Sequence, residues 1–284
     1  MRMLDVEILS SALASRNATW TAAPTRLTSL PADMARALAG AMDEPLAHTL
    51  SKASSATLTA PHSSTEMPAV KVDWRDNGGN YVSPVRDQDL CRSCVAFATC
   101  AVMESSLRIS ESAPGLALAL APRPLFFCGH PAGCSVGRYA SDIMSSARNG
   151  VALEAAAPYS VADQTCKAIA PALRVTGIRQ CAGDLRTRKF FVADEGPVYA
   201  EMRLFDDFLA YTGGVYRHVQ GADNGLHAVV VIGYDDAEHC WICLNSWGAQ
   251  VQENGFFRIG YGECEIDARP FIALDVDRVT DAVS

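Results

Sequence analysis

The spacing of apolar residues changes character along this chain. Between Cys94 and Ile109, Phe97, Ala101, Glu104 and Leu107 recur at helical intervals behind Ser93, a residue type that favours the N-cap. A helix is therefore predicted with Cys94 on its first turn. From Gly177 onward the pattern becomes β-branched and aromatic. The runs PVYAEM, GGVYRHV, HAVVVIGYD, HCWICLNSW and NGFFRIGY are separated by Gly, Asn and Asp, which predicts an antiparallel sheet or barrel. Between these regions, residues 128–166 mix Gly, Pro and short apolar runs, which predicts loops and one further helix near 139–148. Helices first and strands second give an α+β chain, with a mainly helical region over 70–178 and a mainly β region over 179–284. No internal repeat is present.

Residues 1–69 have a different texture. Ser, Thr and Ala dominate 49–66, and Pro24, Pro31, Pro45, Pro61 and Pro68 punctuate the segment, which reads as an extended leader and linker. Met34, Leu38, Met42 and Leu46 recur every fourth residue after Asp33, with Pro45 interrupting, so at most one short amphipathic helix is expected. The first 15 residues contain Asp5 and Glu7 and no unbroken apolar stretch, so they do not form a secretory signal peptide.

Composition narrows the function. At 284 residues and 49% hydrophobic, the chain can bury one large core or two coupled ones. The net charge is -8, and the one tight basic cluster is Arg186, Arg188 and Lys189, which argues against nucleic acid as a partner. The most apolar stretch, residues 116–121, is bracketed by Pro114 and Pro122 and falls far short of the roughly 20 residues of a spanning helix. No membrane anchor is expected. Ten cysteines are too many to be incidental and too few for a scaffold built on disulfides, so some should be bridged and some free. Cys240 and Cys243 lie three apart on a strand and so face opposite ways, which disfavours a shared metal. Neither metal nor cofactor is expected.

A thiol attacks as thiolate, and a helix N-terminus with a nearby imidazole favours that form. Cys94 has the helix. His227, opening HAVVVIGYD after the flexible GADNG, is the stronger candidate for its partner, and His218, inside GGVYRHV, the weaker. Asn245, at the end of an apolar strand, could fix the imidazole tautomer, with Trp247 as an apolar cover.

Five segments in order, VDWR (72–75), SPVRDQDLCRSCVAFA (83–98), HAVVVIGY (227–234), LNSWG (244–248) and ENGFFRI (253–259), resemble the papain-like cysteine peptidases. The stretch from 196 to 229 resembles the cathepsin B type most. The resemblance implies a two-domain papain-like fold, helical on the left and β-barrel-like on the right, with the active site in the cleft between. It implies Cys94 as nucleophile, His227 as general acid/base, Asn245 as orienter and Gln88 as oxyanion donor. Trp247 would shield the His227–Asn245 hydrogen bond. Gly137 matches a backbone contact for substrate, and Glu201, Arg138, Tyr139 and Ala228 match walls of the pocket for the second residue before the cut, with Glu201 suited to a basic side chain unless Arg138 neutralises it. Disulfides Cys91–Cys134 and Cys128–Cys166 are implied, and the family's common third bridge lacks a partner for Cys264.

The departures are as informative. Arg92 and Val95 replace a usual glycine and tryptophan beside the nucleophile, and the loop after Cys134 reads Ser135, Val136, Gly137. No long insertion separates Cys128 from Cys166, so the occluding loop that makes cathepsin B trim dipeptides is missing and endopeptidase action is expected. The alternatives are an acyl transferase or an inactive binding module on the same fold. Residues 1–69 resemble a short, lightly anchored pro-segment that inhibits by lying in the cleft and is cut within 49–66. The expected product is a monomeric zymogen acting on proteins or peptides. Disulfides imply export to the periplasm or exterior. Twenty Arg against four Lys, with many Ala, suggests a bacterial source.

Overall fold

The computed structural model describes residues 4–44 and 66–279. The helix predicted behind Ser93 runs Cys94–Ser110 and is buried along almost its whole length. Val95, Val102, Met103 and Leu107 pack into one core, where each buried large aliphatic contributes about 1.5–3 kcal/mol. Ser93 takes the N-cap position, but its hydroxyl meets the Tyr159 hydroxyl at 2.7 Å instead of capping. Glu104 is fully buried in the same helix and is compensated on both oxygens. Arg86 Nη2 at 2.8 Å and the Leu120 N–H at 2.7 Å donate to one, the Ser83 hydroxyl to the other. These bonds tie the segment leading to Gln88 against the helix carrying Cys94. Shorter helices follow at Pro122–Phe127 and Ala140–Ala147.

The strands are β1 (Trp20–Ala22), β2 (Lys71–Asp73), β3 (Leu173–Cys181), β4 (Val198–Phe205), β5 (Tyr211–Tyr216), β6 (Asp223–Asp235), β7 (Cys240–Leu244), β8 (Phe256–Gly260) and β9 (Phe271–Arg278). They follow the order β1-β5-β8-β7-β6-β4-β9-β3, with β2 on β6. Among the described residues the path does not close. One pair, β5 with β8, is parallel where the sequence suggested antiparallel pairing throughout. The antiparallel steps β6 to β7 to β8 return the chain to the direction of β6, which β5 shares. β3 spans residues 178 and 179, the boundary drawn from sequence, and β2 pairs with β6, so the two halves share one sheet. A helix at Leu185–Glu195 and strand β9 were not anticipated.

The leader is more ordered and more firmly held than its composition suggests. A helix at Val6–Ser15 is capped by Asp5, whose carboxylate accepts from the N–H groups of Glu7 and Ile8, and it buries Leu9 and Leu13. Trp20 is buried, packs on Tyr216 at 5.0 Å and donates its indole N–H to the Arg217 carbonyl at 2.9 Å. β1 adds to the edge of β5. The expected amphipathic helix shrinks to Ala32–Ala35 and a 3-10 turn at Arg36–Leu38. It buries Leu38 and leaves Met34 exposed. Beyond it the chain is extended because its backbone bonds to the cleft. Leu46 and residues 49–65 of the expected cleavage region lie outside the described residues.

Candidate active site

Three elements converge on one buried point. The helix Cys94–Ser110 brings Cys94, strand β6 brings His227 and Ala228, and the end of β7 leads into Asn245. The Cys94 Sγ accepts the Ala228 N–H at 3.5 Å, so the residue after the histidine seats the thiol. His227 Nε2 donates to Asn245 Oδ1 at 2.8 Å, which leaves Nδ1 with the lone pair in the neutral ring. Nδ1 is buried without a formed hydrogen bond. Asn245 is fixed in turn: its Nδ2 donates to Gln252 Oε1 at 2.9 Å and its Oδ1 also accepts the Ser246 N–H at 2.8 Å. Trp247 covers the imidazole, with ring centroids 4.7 Å apart.

Gln88 sits beside them. Its backbone N–H donates to the Ser246 carbonyl at 2.8 Å, and its Oε1 accepts the Ser246 hydroxyl at 2.6 Å. The amide is thereby turned so that Nε2 donates, to the Cys91 carbonyl at 2.7 Å and to the leader's Leu38 carbonyl at 3.3 Å. Ser246 and Gln252 were not singled out from sequence, although Ser246 lies inside LNSWG.

The leader fills the cleft over this point. The Gly40 N–H donates to Cys94 Sγ at 3.3 Å, and Arg92 Nη1 donates to the Ala39 carbonyl at 3.0 Å. Ala41 bridges Arg138 in parallel and Leu226 in antiparallel sense. Arg138 supplies both ladder groups, its N–H to the Gly40 carbonyl at 3.0 Å and its carbonyl to the Met42 N–H at 3.1 Å. The sequence pointed to Gly137 for that contact. Gly137 instead permits the approach, since a Cβ there would lie 2.0 Å from the Gly40 oxygen.

Burial acts on both groups of the pair. Desolvation pushes the Cys94 thiol up to about 11, against backbone N–H bonds that lower it. Desolvation brings the His227 imidazole down to about 4, opposed by Asn245 and by the nearby Leu38 carbonyl. Both shifts favour the neutral form of each group.

The specificity candidates divide. Glu201 is buried beside the cleft, accepting the Tyr199 hydroxyl at 2.7 Å and facing Arg269 Nε at 3.5 Å. Desolvation raises its carboxyl to about 7. Arg138 does not reach it: its Nη1 donates to the Phe126 carbonyl at 3.1 Å. Tyr139 takes the N-cap position of the helix Ala140–Ala147. His218 is elsewhere, stacked on Phe205 at 3.8 Å and bonded to Asp207 at 3.1 Å.

Cys91 is bridged to Cys134 and Cys128 to Cys166, which staples the loop carrying Gly137 to the residues before Cys94. Cys94, Cys100, Cys181, Cys240, Cys243 and Cys264 are free and buried. Among the described residues no cluster of His, Cys, Asp and Glu could hold a metal ion, and no helix is long and apolar enough to cross a membrane.

Comparison with known proteins shows the family. The family described as papain family cysteine protease matches residues 68–274. Pro-cathepsin H of Mus musculus is 34% identical over 206 residues, covering 68% of this chain and 60% of that protein. The thiol protease aleurain of Arabidopsis thaliana is 32% identical over 224 residues, covering 74% and 61%. The chain thus spans about 60% of the length of these curated relatives. Among solved structures, the digestive procathepsin L2 proteinase of Tenebrio molitor larval midgut superposes with a TM-score of 0.82 at 26% identity, over 95% of this chain and 88% of that one. A procathepsin B of Trypanosoma congolense superposes at 0.81 over 99% and 100%, a likeness of fold alone at 20% identity. With its family match running from residue 68 to 274 and these identities, the chain belongs to the papain family of cysteine proteases.

Proposed function

We propose that this chain is the zymogen of a cysteine endopeptidase. In the reaction, His227 Nδ1 takes the Cys94 thiol proton, and the sulfur attacks the peptide carbonyl. The tetrahedral oxyanion is held by Gln88 Nε2 and the Cys94 backbone N–H, each worth about 2.7–4 kcal/mol. Imidazolium then protonates the leaving amine, and water hydrolyses the thioester with His227 as base. The observation that carries this reading is the leader's polarity at the site. It presents an amide N–H, that of Gly40, to the nucleophile, and gives the Gln88 amide a carbonyl two residues earlier. An occupant that sets an amide N–H against Sγ and a carbonyl on the Gln88 amide fills both the nucleophile's and the oxyanion donor's places.

The leader also disarms the pair. A dry cleft favours neutral thiol and neutral imidazole, and admitting water relieves the desolvation that holds the two apart. The segment between Cys128 and Cys166 carries no long insertion, which supports endopeptidase action. Two disulfides support export to an oxidising compartment. Acid should aid release, because Asp43 in the leader is held below the ordinary carboxylate range by Arg269, and that contact is lost as pH falls through the lowered value.

The test is labelling of the full chain by a peptide-shaped epoxide, before and after a cut introduced within 49–65. The expected result is slow labelling before the cut and fast labelling at Cys94 alone after it, with peptide hydrolysis appearing in parallel. Equal activity of both forms would reject the zymogen reading, and labelling elsewhere would reject the nucleophile.

A further inference from the structure

Beside Glu201 lies a cavity of about 250 Å³, bounded by Tyr199, Glu201, Ala140 and Arg269 and lined on the leader side by Asp43 and Glu44. The two leader acids are received by different walls. Asp43 pairs with Arg269 at 2.9 Å and Arg203 at 3.4 Å. Glu44 accepts from the hydroxyl of Ser141 and lies 3.4 Å from its backbone N–H, in the first turn of the helix Ala140–Ala147. A guanidinium pair and a helix start thus both engage carboxylates at the mouth of one cavity.

A basic occupant would have to rely on Glu201 and Glu265, the acids that the cavity keeps when the leader leaves. The Glu201 carboxyl already takes the Tyr199 hydroxyl and faces Arg269, and the arginine stands between it and Asp43. Glu265, at 3.0 Å from Arg269 and 3.3 Å from Arg203, and Asp223, at 3.5 Å from Arg203, partly balance the arginines, but both arginines still engage Asp43. When the leader departs, the partners lost from this wall are carboxylates.

We infer that the emptied cavity selects an acidic side chain on the substrate, at the second residue before the cut, with Arg269 and Arg203 as the receptors that Asp43 occupies in the zymogen. The inference rests on the protease reading and replaces the basic preference expected from Glu201 alone. Arg269 and Arg203 are then specificity residues, and the leader's Asp43 and Glu44 imitate the substrate class the enzyme cuts.

The experiment uses the full chain with a protease site inserted within 49–65, folded whole, cut and washed. Matched fluorogenic peptides carry Glu, Leu or Arg at the position in question. The Glu peptide should exceed both others in kcat/KM by about tenfold or more, the scale of a charge-assisted hydrogen bond. Arg269→Gln and Arg203→Gln should each lower the Glu:Leu ratio of kcat/KM about fivefold or more. If Arg269→Gln does not fold, Arg203→Gln decides. Binding of the same peptides to the cut Cys94→Ala form, by calorimetry, reads the preference without turnover. Loss of all hydrolysis would count against the protease reading, and the Kd values would still judge selectivity. A Glu:Leu ratio at or below one, equal Kd values, or a ratio unmoved by the folded variants overturns the inference.

Discussion

Gly40→Ala should open the zymogen. Gly40 carries its N–H on Cys94 Sγ and its carbonyl on Arg138, and it passes so close to the nucleophile loop that a Cβ would lie 2.0 Å from the Arg92 carbonyl oxygen, 2.3 Å from its carbon and 2.6 Å from its Cα. All three atoms are backbone, pinned next to the Cys91–Cys134 bridge, so the leader must yield by more than an ångström. A shift of that size breaks the 3.3 Å bond to Sγ and the 3.0 Å bond from Arg138, and strains the 3.0 Å bond from Arg92 to Ala39. At about 1 kcal/mol net per bond, two or three losses weaken the seat by about 2–3 kcal/mol, or about 30- to 150-fold in the open fraction. The opposing gain from a stiffer unfolded chain is about 0.4–1 kcal/mol and does not reverse the sign. The assay is epoxide labelling of Cys94 in the uncut chain together with peptide hydrolysis. Gly213→Ala is the control, because the nearest atom to a Cβ there is 3.6 Å away. Labelling of uncut Gly40→Ala within twofold of wild type would refute the steric reasoning.

Cys94→Ala should abolish hydrolysis in the cut form while shifting Tm by no more than a few degrees, as read by peptide turnover and calorimetry. Trp20→Ala removes a buried indole that packs between leader and β5, a change in the class that costs about 3–5 kcal/mol. Uncut chain carrying it should gain activity, and the cut and washed form should be unchanged. Glu201→Gln should show a pH-dependent stability effect. With the wild-type carboxyl raised to about 7, the folded chain holds a proton that the unfolded chain loses from about pH 4.3 upward, so wild-type stability falls across that window. The Tm of the variant relative to wild type should therefore be higher at pH 8 than at pH 5, and an equal difference at both would reject the assignment.

Local patterns were legible where a single element carries the information. The helix behind Ser93 and the β6 and β7 runs show their periods plainly, and Cys94 opens the helix, Asn245 follows the end of β7 and His227 lies within β6. The leader was harder. Its helix is written in Asp5, Leu9 and Leu13, an N-cap followed by two apolar residues four apart, but the surrounding Ser and Ala dilute the signal. Trp20 gives no period at all, because β1 is three residues long and is held by pairing with β5. Met34 and Met42 matched a helical interval that the structure does not use, since backbone bonds to Arg138 and Leu226 pull the chain straight before a second turn can form. An extended segment stabilised by someone else's edge leaves little trace in its own composition.

Charge was the least legible layer, because it depends on which groups are buried together. Cys94 on a helix start argues for a lowered pKa, and the helix and N–H bonds do pull that way, yet desolvation outweighs them while Leu38, Ala39 and Gly40 seal the cleft. Glu201 argues for a basic substrate when taken alone. Arg269, 68 residues later and outside every segment that carries the family resemblance, changes that argument, and Asp43 of the leader supplies the carboxylate that shows it. The leader therefore does two things with the same few residues. Its glycine blocks the nucleophile by lying against it, and its acids occupy the side-chain receptors, so the segment that keeps the cleft closed also carries an imprint of what the cleft takes when open.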